Sequence, residues 1–173
     1  MFAEGGAAAG EAEVLRVQAP GERGRWRPFE GGASALAAAG ERLLGEPPGI
    51  ALLATVSAAS APRVHPFMPR VLDGWLCAFV VSTSPKLRDL LAGRPCVIHA
   101  AVPAPQDEEF WVQAHARPLD DPVRIEAALA AMPWAKPASE ALMEFDLDRA
   151  GWTRWLDFGT PQHRPLHHRW TSR

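Results

Sequence analysis

The sequence predicts a mainly β (α+β) fold, in which six to seven antiparallel strands close a small barrel and two or three helices lie at its periphery. The 173 residues, 47% of them hydrophobic and 22% charged, suffice for one well-formed core. Several short runs of apolar and β-branched residues are separated by turn signals. The turns between the early runs are too short for parallel crossovers, so we expect the strands to pair antiparallel.

The first three strands are predicted in the stretch 50–81. Ile50 to Ser57 is almost wholly apolar, and Arg63 to Leu72 resumes the pattern after a short segment of small residues. Asp73-Gly74 separates this second strand from the third, Trp75 to Val81. Both central positions of a type I′ turn need a positive φ, which aspartate and glycine tolerate, so these two residues predict a tight hairpin.

The later elements follow from the same periodicities. Glu109 to Leu119 alternates an apolar face with a mixed face that includes Trp111 and Gln113. We expect this mixed face to meet water, a ligand or a second subunit. The other predictions are strands at Cys96 to Val102, Leu142 to Leu147 and Trp152 to Phe158, a turn at Asp148 to Gly151, and helices at Ser34 to Leu44 and Val123 to Met132.

A polar, cationic segment follows the third strand. Ser84 suits a helix N-cap, Pro85 suits the first helical position, and Lys86 lies in the first turn of a short helix that Gly93 can end. Free backbone N–H groups and the positive end of a helix dipole, together with the Lys86 ammonium, favour a phosphate dianion. Arg63 can add a bidentate guanidinium. A capped surface helix with solvated charges would give the same local pattern.

The region from Gly49 to Ala101 contains four motifs that together are typical of one family. They are Leu53-Ala54-Thr55-Val56-Ser57, Pro62-Arg63-Val64-His65-Pro66, Asp73-Gly74 and Ser84-Pro85-Lys86. In these motifs the chain resembles the FMN-binding split barrel of the pyridoxamine 5′-phosphate oxidase-like superfamily. The resemblance implies a six- to seven-stranded antiparallel split β-barrel, and it extends more weakly through the later strands.

The resemblance also implies a set of cofactor-binding residues. Arg63, Ser84 and Lys86 stand at the positions that bind the FMN phosphate in this family. The residues expected beside the flavin ring are Val64, His65 and Pro66 on one approach and Val81, Ser82 and Thr83 on the other. Because the family typically builds its flavin site across a dimer interface, the resemblance implies a homodimer with Trp111 and Gln113 at the cofactor.

The function implied by the resemblance is an FMN-dependent oxidoreductase, with flavin-mediated electron or hydride transfer to or from a small-molecule substrate. No side chain stands out as a catalytic acid or base. A deazaflavin-dependent reductase and a non-catalytic flavin- or haem-binding module stay open as alternatives. Vitamin B6 oxidation is not expected, because Phe67-Met68-Pro69 stands where authentic pyridoxamine phosphate oxidases have a lysine that meets the substrate phosphate.

Charge and composition argue against other classes of protein. The formal net charge is −2 and no basic block is present, so we expect no nucleic-acid partner. The sequence has no run of about 18 apolar residues and no leader-like N-terminus, which predicts a cytoplasmic protein without a membrane segment. Cys77 and Cys96 lack metal-ligand or redox spacing, so we expect both to be buried free thiols.

The predicted organisation is a flexible N-terminal arm over 1–25, an FMN-binding split-barrel domain over 26–158 and a C-terminal tail over 159–173. The tail includes His163, His167 and His168. Adjacent histidines do not share a face of a strand or helix, and no cysteine or carboxylate lies nearby in sequence. We therefore predict a solvated or subunit-docking tail. Because some members of the superfamily bind haem through a C-terminal histidine, the resemblance leaves haem binding by this tail open as an alternative.

Overall fold

The computed structural model describes residues 13–14, 26, 29, 31, 33–101 and 107–172. In this part of the chain, nine strands form one sheet that curls into a half-barrel. The strands are β1 (Glu13–Val14), β2 (Ala51–Val56), β3 (Pro62–Phe67), β4 (Arg70–Leu72), β5 (Trp75–Val81), β6 (Cys96–Ala100), β7 (Glu108–Pro118), β8 (Glu140–Leu156) and β9 (Arg164–Thr171). The helices with complete bounds are α1 (Ser34–Gly45), α2 (Pro85–Leu91) and α3 (Pro122–Ala131).

The strand order is β1-β9-β8-β7-β6-β2-β3, and β5 pairs with both β4 and β8. Every pair is antiparallel except the short parallel pair of β1 with β9. The mainly β class, the antiparallel pairing and the split barrel with peripheral helices are thus confirmed. The predicted flexible arm lies outside the described residues, apart from residues 13 and 14.

The predicted hairpin at Asp73-Gly74 is confirmed, since both residues have positive φ, 46° and 79°. The predicted second strand, however, is two strands. β3 ends at Phe67 and pairs with β2, whereas β4 begins at Arg70 and pairs with β5. Pro69 lies at the break, and a proline cannot donate a ladder hydrogen bond there.

The last two predicted strands are one strand of 17 residues, β8. One edge of β8 pairs with β7, and its other edge pairs first with β5 and then with β9. The predicted turn at Asp148 to Gly151 is wrong. The register of β7 against β8 shifts at this place, between Gln113 and Ala114, so Asp148 is the extra residue of a β-bulge inside a continuous strand.

The C-terminal segment also differs from the solvated or docking tail that the sequence predicted. Residues Arg164–Thr171 form β9, which pairs with β8 along its whole length. Trp170 is only 6% exposed, and its ring centroid lies 5.1 Å from that of Phe29 in the core. Burial of this large aromatic ring and the eight paired residues hold the segment on the sheet.

Helix α1 covers the inner side of the sheet and contains Gly40, an unfavourable residue for a helix interior. A β-carbon at Gly40 would lie 2.4 Å from the ring of Phe110 and 2.7 Å from the ring of Trp26. Both aromatic side chains are fully buried. Glycine is therefore present because the helix backbone packs directly on two core rings.

Two smaller features complete the fold. Cys77 and Cys96 are buried free thiols, as predicted, and burial raises the pKa of each to about 12.

Glu144 is 1% exposed and forms ion pairs with Arg117 and Arg124, which connects α3 to the sheet. Among the residues that the structure describes, no helix is long and apolar enough to cross a membrane.

Candidate functional site

The candidate site lies where the sheet is split, between the free edge of β3 and the end of β5. Helix α2 packs against β2, β5 and β7, and its second residue, Lys86, donates a hydrogen bond of 2.9 Å from Nζ to the carbonyl of Pro66 on β3. Pro66 therefore directs its carbonyl away from β2. Alternate residues direct their backbone groups to the same edge, so the N–H and C=O of Val64 also face the split.

Arg63 is fixed by a buried carboxylate of α2. Its Nη1 donates to both oxygens of Asp89, at 3.2 and 3.1 Å, and Asp89 is only 6% exposed. Thr55, the cross-strand partner of Arg63, donates from Oγ1 to Asp89 at 2.9 Å. Only one of the guanidinium nitrogens is used in these bonds, and the Arg63 side chain remains 39% exposed. The guanidinium is thus held in place with donors to spare.

His65 lies two residues after Arg63 on the same side of β3. Its Nε2 is buried and has no hydrogen-bond partner among the described residues. Burial and the charges of Lys86 and Arg63 lower the pKa of His65 below its usual value of 6.5, while Asp89 acts in the opposite direction. Burial also lowers the pKa of Lys86. Lys86 and the Arg63–Asp89 ion pair therefore lie close to an imidazole whose Nε2 has no hydrogen-bond partner among the described residues.

The start of α2 matches the sequence prediction. Ser84 is the N-cap, its Oγ accepts from the backbone N–H of Leu87 at 3.3 Å, and Pro85 is the first helical residue. Ser82 and Thr83 are exposed in the preceding turn. Since α2 has only seven residues and Ser84 already satisfies one of its N–H groups, the side-chain cations, and not the helix terminus, make this region attractive to an anion.

A cavity of about 320 Å³ opens beside Lys86. Its walls are mainly apolar and aromatic, and its two charged side chains are Lys86 and Glu140. The lining residues are Ile50, Pro66, Phe67, Met68, Phe79, Val81, Lys86, Trp134 and Glu140. An apolar slot with a cation at one side suits a flat aromatic ligand that carries an anionic group.

Trp111 and Gln113 lie on a different part of the surface, the outer face of the sheet. The register places Gln113 in one row with Val64, three strands away, which corresponds to roughly 14 Å at about 4.8 Å per strand. Trp111 lies on the backbone of Gly151, where a β-carbon would be 2.5 Å from the indole. Within one subunit, neither residue reaches the cluster formed by Arg63 and Lys86.

The outer face also presents exposed apolar side chains. Val64 is 63% exposed and Leu52 is 41% exposed, and they occupy neighbouring rows of β3 and β2. Val97 on β6 continues the row toward Gln113. The mixed apolar and polar character of this face, expected from the alternation in β7, is thus extended across four strands.

A second cavity of about 670 Å³ lies beside the same face. His99 lines it, and its Nδ1 lies 2.8 Å from the carbonyl of Ala100, which leaves Nε2 for another contact. Glu109 lies 3.8 Å from that Nε2 and accepts a hydrogen bond from Thr153, which in turn contacts His167.

The histidines of the C-terminal segment do not converge. His168 stacks on Trp152 at 4.8 Å between ring centroids, and His163 contacts Phe158 edge to face. Among the residues that the structure describes, no three potential metal ligands come close enough to hold an ion.

Several residues of the site were not identified from the sequence. Thr55 and Asp89 could have been found from the sequence, because each is a polar residue at a core-facing position of its strand or helix. Trp134 and Glu140 could not have been found in this way, since they lie in or next to the connector between α3 and β8, far from β3 in sequence. Only the folded chain brings this connector to the cavity.

The curled antiparallel sheet, with a short helix and a cationic cluster at its split, defines a split-barrel protein. No protein-family model matches the chain, and no curated protein matches it. Solved structures do match. A protein related to general stress protein 26, of the pyridoxinephosphate oxidase family, from Clostridium acetobutylicum has a TM-score of 0.56 at 12% identity, over 78% of this chain and 93% of that chain.

Two haem proteins have the same fold. The haem storage protein HutZ from Vibrio cholerae has a TM-score of 0.51 at 13% identity, over 65% of this chain and 90% of that one. A haem-binding protein from Mycobacterium smegmatis has a TM-score of 0.51 at 16% identity over 68% of this chain, which spans about half, 52%, of that protein. These likenesses confirm the split-barrel fold that the sequence motifs indicated.

Proposed function

We propose that the chain is an FMN-binding oxidoreductase and that the cluster of Arg63, Ser84 and Lys86 holds the FMN phosphate. The observation that supports this most strongly is the position of Lys86, a partly buried cation that lines an aromatic cavity, with Arg63 held by Asp89 on the neighbouring strand. A phosphate dianion offers three acceptor oxygens, and charge-assisted bonds to it are about twice as strong as neutral ones.

The residues at the split fit the other parts of FMN as well. The free edge of β3 offers the backbone groups of Val64, and the cavity offers apolar walls for a ring system. Val81, Ser82 and Thr83 lie at the other side of the cluster, at the end of β5. The Nε2 of His65, which has no hydrogen-bond partner among the described residues, would gain one in an oxygen of FMN.

When bound, a flavin supplies the electron or hydride transfer itself. The role of the protein is then to bind the phosphate, to orient the ring and to shape the space for a small-molecule substrate. A deazaflavin cofactor also carries a ribityl phosphate, so the same cations would hold it. The phosphate site therefore does not discriminate between FMN and a deazaflavin, and titration of the protein with each cofactor is needed to do so.

The test is FMN titration of the purified protein and of two variants, followed by tryptophan and flavin fluorescence. Arg63→Ala and Lys86→Met should each weaken FMN binding by about 1.5–3 kcal/mol, the usual size of a hydrogen bond to a charged group. Arg88→Ala is the matched control, because Arg88 is an exposed cation two residues from Lys86. Unchanged affinity in both site variants would overturn the assignment.

We propose further that the protein is a homodimer through the outer face of the sheet, so that Trp111 and Gln113 of one subunit approach the cofactor of the other. Two observations support this. Val64 and Leu52 are exposed apolar residues on a sheet face, and Trp111 and Gln113 are too far from the cluster of their own subunit to serve it. A second copy brings these surfaces together.

A second candidate function is haem binding without catalysis. It is favoured by His99, which lines the larger cavity and whose Nδ1 is engaged by a backbone carbonyl, as in many histidines that ligate metals through the other nitrogen. Haemin titration of the wild type and of His99→Ala tests it. A Soret band that persists in the variant would exclude His99 as the iron ligand.

A further inference from the structure

Trp134 is the largest side chain of the cavity beside Lys86, and it comes from the connector between α3 and β8. The Trp134 side chain is 43% exposed, whereas tryptophan side chains are on average highly buried.

The connector is fixed at several points. The N–H of Ala135 donates to the carbonyl of Met132 at 3.0 Å, and Met132 is 1% exposed. The N–H of Lys136 donates to the carboxylate of Glu140 at 2.7 Å. The N–H of Ser82 donates to the carbonyl of Ser139 at 2.8 Å, which ties the connector to the end of β5. Trp134 thus stands on an ordered support.

The indole itself is held by Arg70. The guanidinium carbon of Arg70 lies 4.9 Å from the Trp134 ring centroid, a distance typical of cation–π contacts. Arg70 is in turn anchored by the carbonyls of Pro69 at 2.7 Å and Gly49 at 3.3 Å. Gly49 has a φ of 70°, and a β-carbon there would lie 2.4 Å from Arg70 Nη1. The chain leaves room for this guanidinium and fixes it beneath the indole.

We propose that Trp134 is the stacking wall for the isoalloxazine ring, with Arg70 as the residue that positions the indole. The inference rests on the proposed flavin function and adds a ring-binding residue to it. Aromatic rings prefer to stack on one another, and the neighbouring Phe67 and Phe79 restrict the remaining walls of the slot. The cation that meets the phosphate, Lys86, lines the same cavity.

The experiment measures two properties of FMN-loaded protein: the dissociation constant and the emission of the bound flavin at saturation. An indole in stacking contact quenches flavin fluorescence by electron transfer, so the wild type should hold FMN in a strongly quenched state. Trp134→Leu should raise the dissociation constant about 3- to 10-fold and restore much of the emission. Trp134→Phe should recover most of the affinity but not the quenching.

Two further variants separate this role from a general effect on folding. Arg70→Met should give an intermediate loss of quenching, because the indole keeps its place in the chain but loses its positioning partner. Trp152→Phe is the matched control, since Trp152 lines neither cavity and should leave both readouts unchanged.

Failure of the stacking role and failure of the proposed flavin function give different results. If Lys86→Met weakens FMN binding while Trp134→Leu changes neither affinity nor emission, the flavin function stands and the stacking role is wrong. If the wild type binds no FMN at all, both are wrong.

Discussion

Because α1 packs closely on the core, we expect replacement of Gly40 by alanine to destabilise the protein. In a solvated helix, replacement of glycine by alanine stabilises by about 1 kcal/mol, because alanine loses less backbone freedom. At Gly40 the added β-carbon would lie 2.4 Å from Phe110 and 2.7 Å from Trp26, far inside van der Waals contact. Both rings are fully buried, so neither can swing into solvent.

Overpacking of this kind costs about 1–3 kcal/mol, and steric overlap with two confined rings lies at the upper end of that range. The propensity gain offsets part of the cost, so Gly40→Ala should lower the free energy of unfolding by about 1–2 kcal/mol. Urea unfolding followed by circular dichroism measures the difference.

Gly45, the last residue of the same helix, is the matched control. Nothing lies within 4 Å of a β-carbon there, so Gly45→Ala should be neutral or slightly stabilising. A Gly40→Ala protein as stable as the wild type would refute the close approach of α1 to the two rings.

Two other predictions concern the site and the interface. The pKa of His65 is lowered in the folded state, so the unfolded state binds more protons, and the free energy of unfolding should fall as the pH drops below 6.5. Urea unfolding at pH 7 and pH 5 measures this fall, and in His65→Gln the contribution of His65 to it should be absent. For the dimer, sedimentation of Leu52→Asp should show monomers while Val123→Asp, which changes an exposed apolar residue of α3, stays dimeric; a monomeric wild type at micromolar concentration would contradict the proposed interface.

The sequence predicted those features that depend on neighbouring residues. Asp73-Gly74 forms its turn because both residues accept positive φ, and Ser84 caps α2 because its side chain reaches a backbone N–H three residues ahead. Arg63 and Lys86 were placed together by the resemblance, and in the structure Arg63 bonds Asp89 while Lys86 bonds the carbonyl of Pro66. Their role in phosphate binding stays a prediction.

Long-range pairing accounts for what the sequence did not predict. Asp148 to Gly151 has turn composition, but β7 pairs across it and converts it into a bulge. β9 has polar, histidine-rich composition, and only the edge of β8 and the burial of Trp170 make it a strand. Trp134 reaches the cavity because α3 returns the chain to β5, which no local pattern indicates.

The most direct test of the central claim compares FMN with riboflavin, which has the same ring and lacks the phosphate. Calorimetric titration of the wild type with both ligands isolates the contribution of the phosphate. Two charge-assisted contacts of about 1.5 kcal/mol or more each predict that FMN binds about 100-fold tighter or more. Equal affinity for the two ligands, or no binding of either, would contradict a phosphate site formed by Arg63 and Lys86.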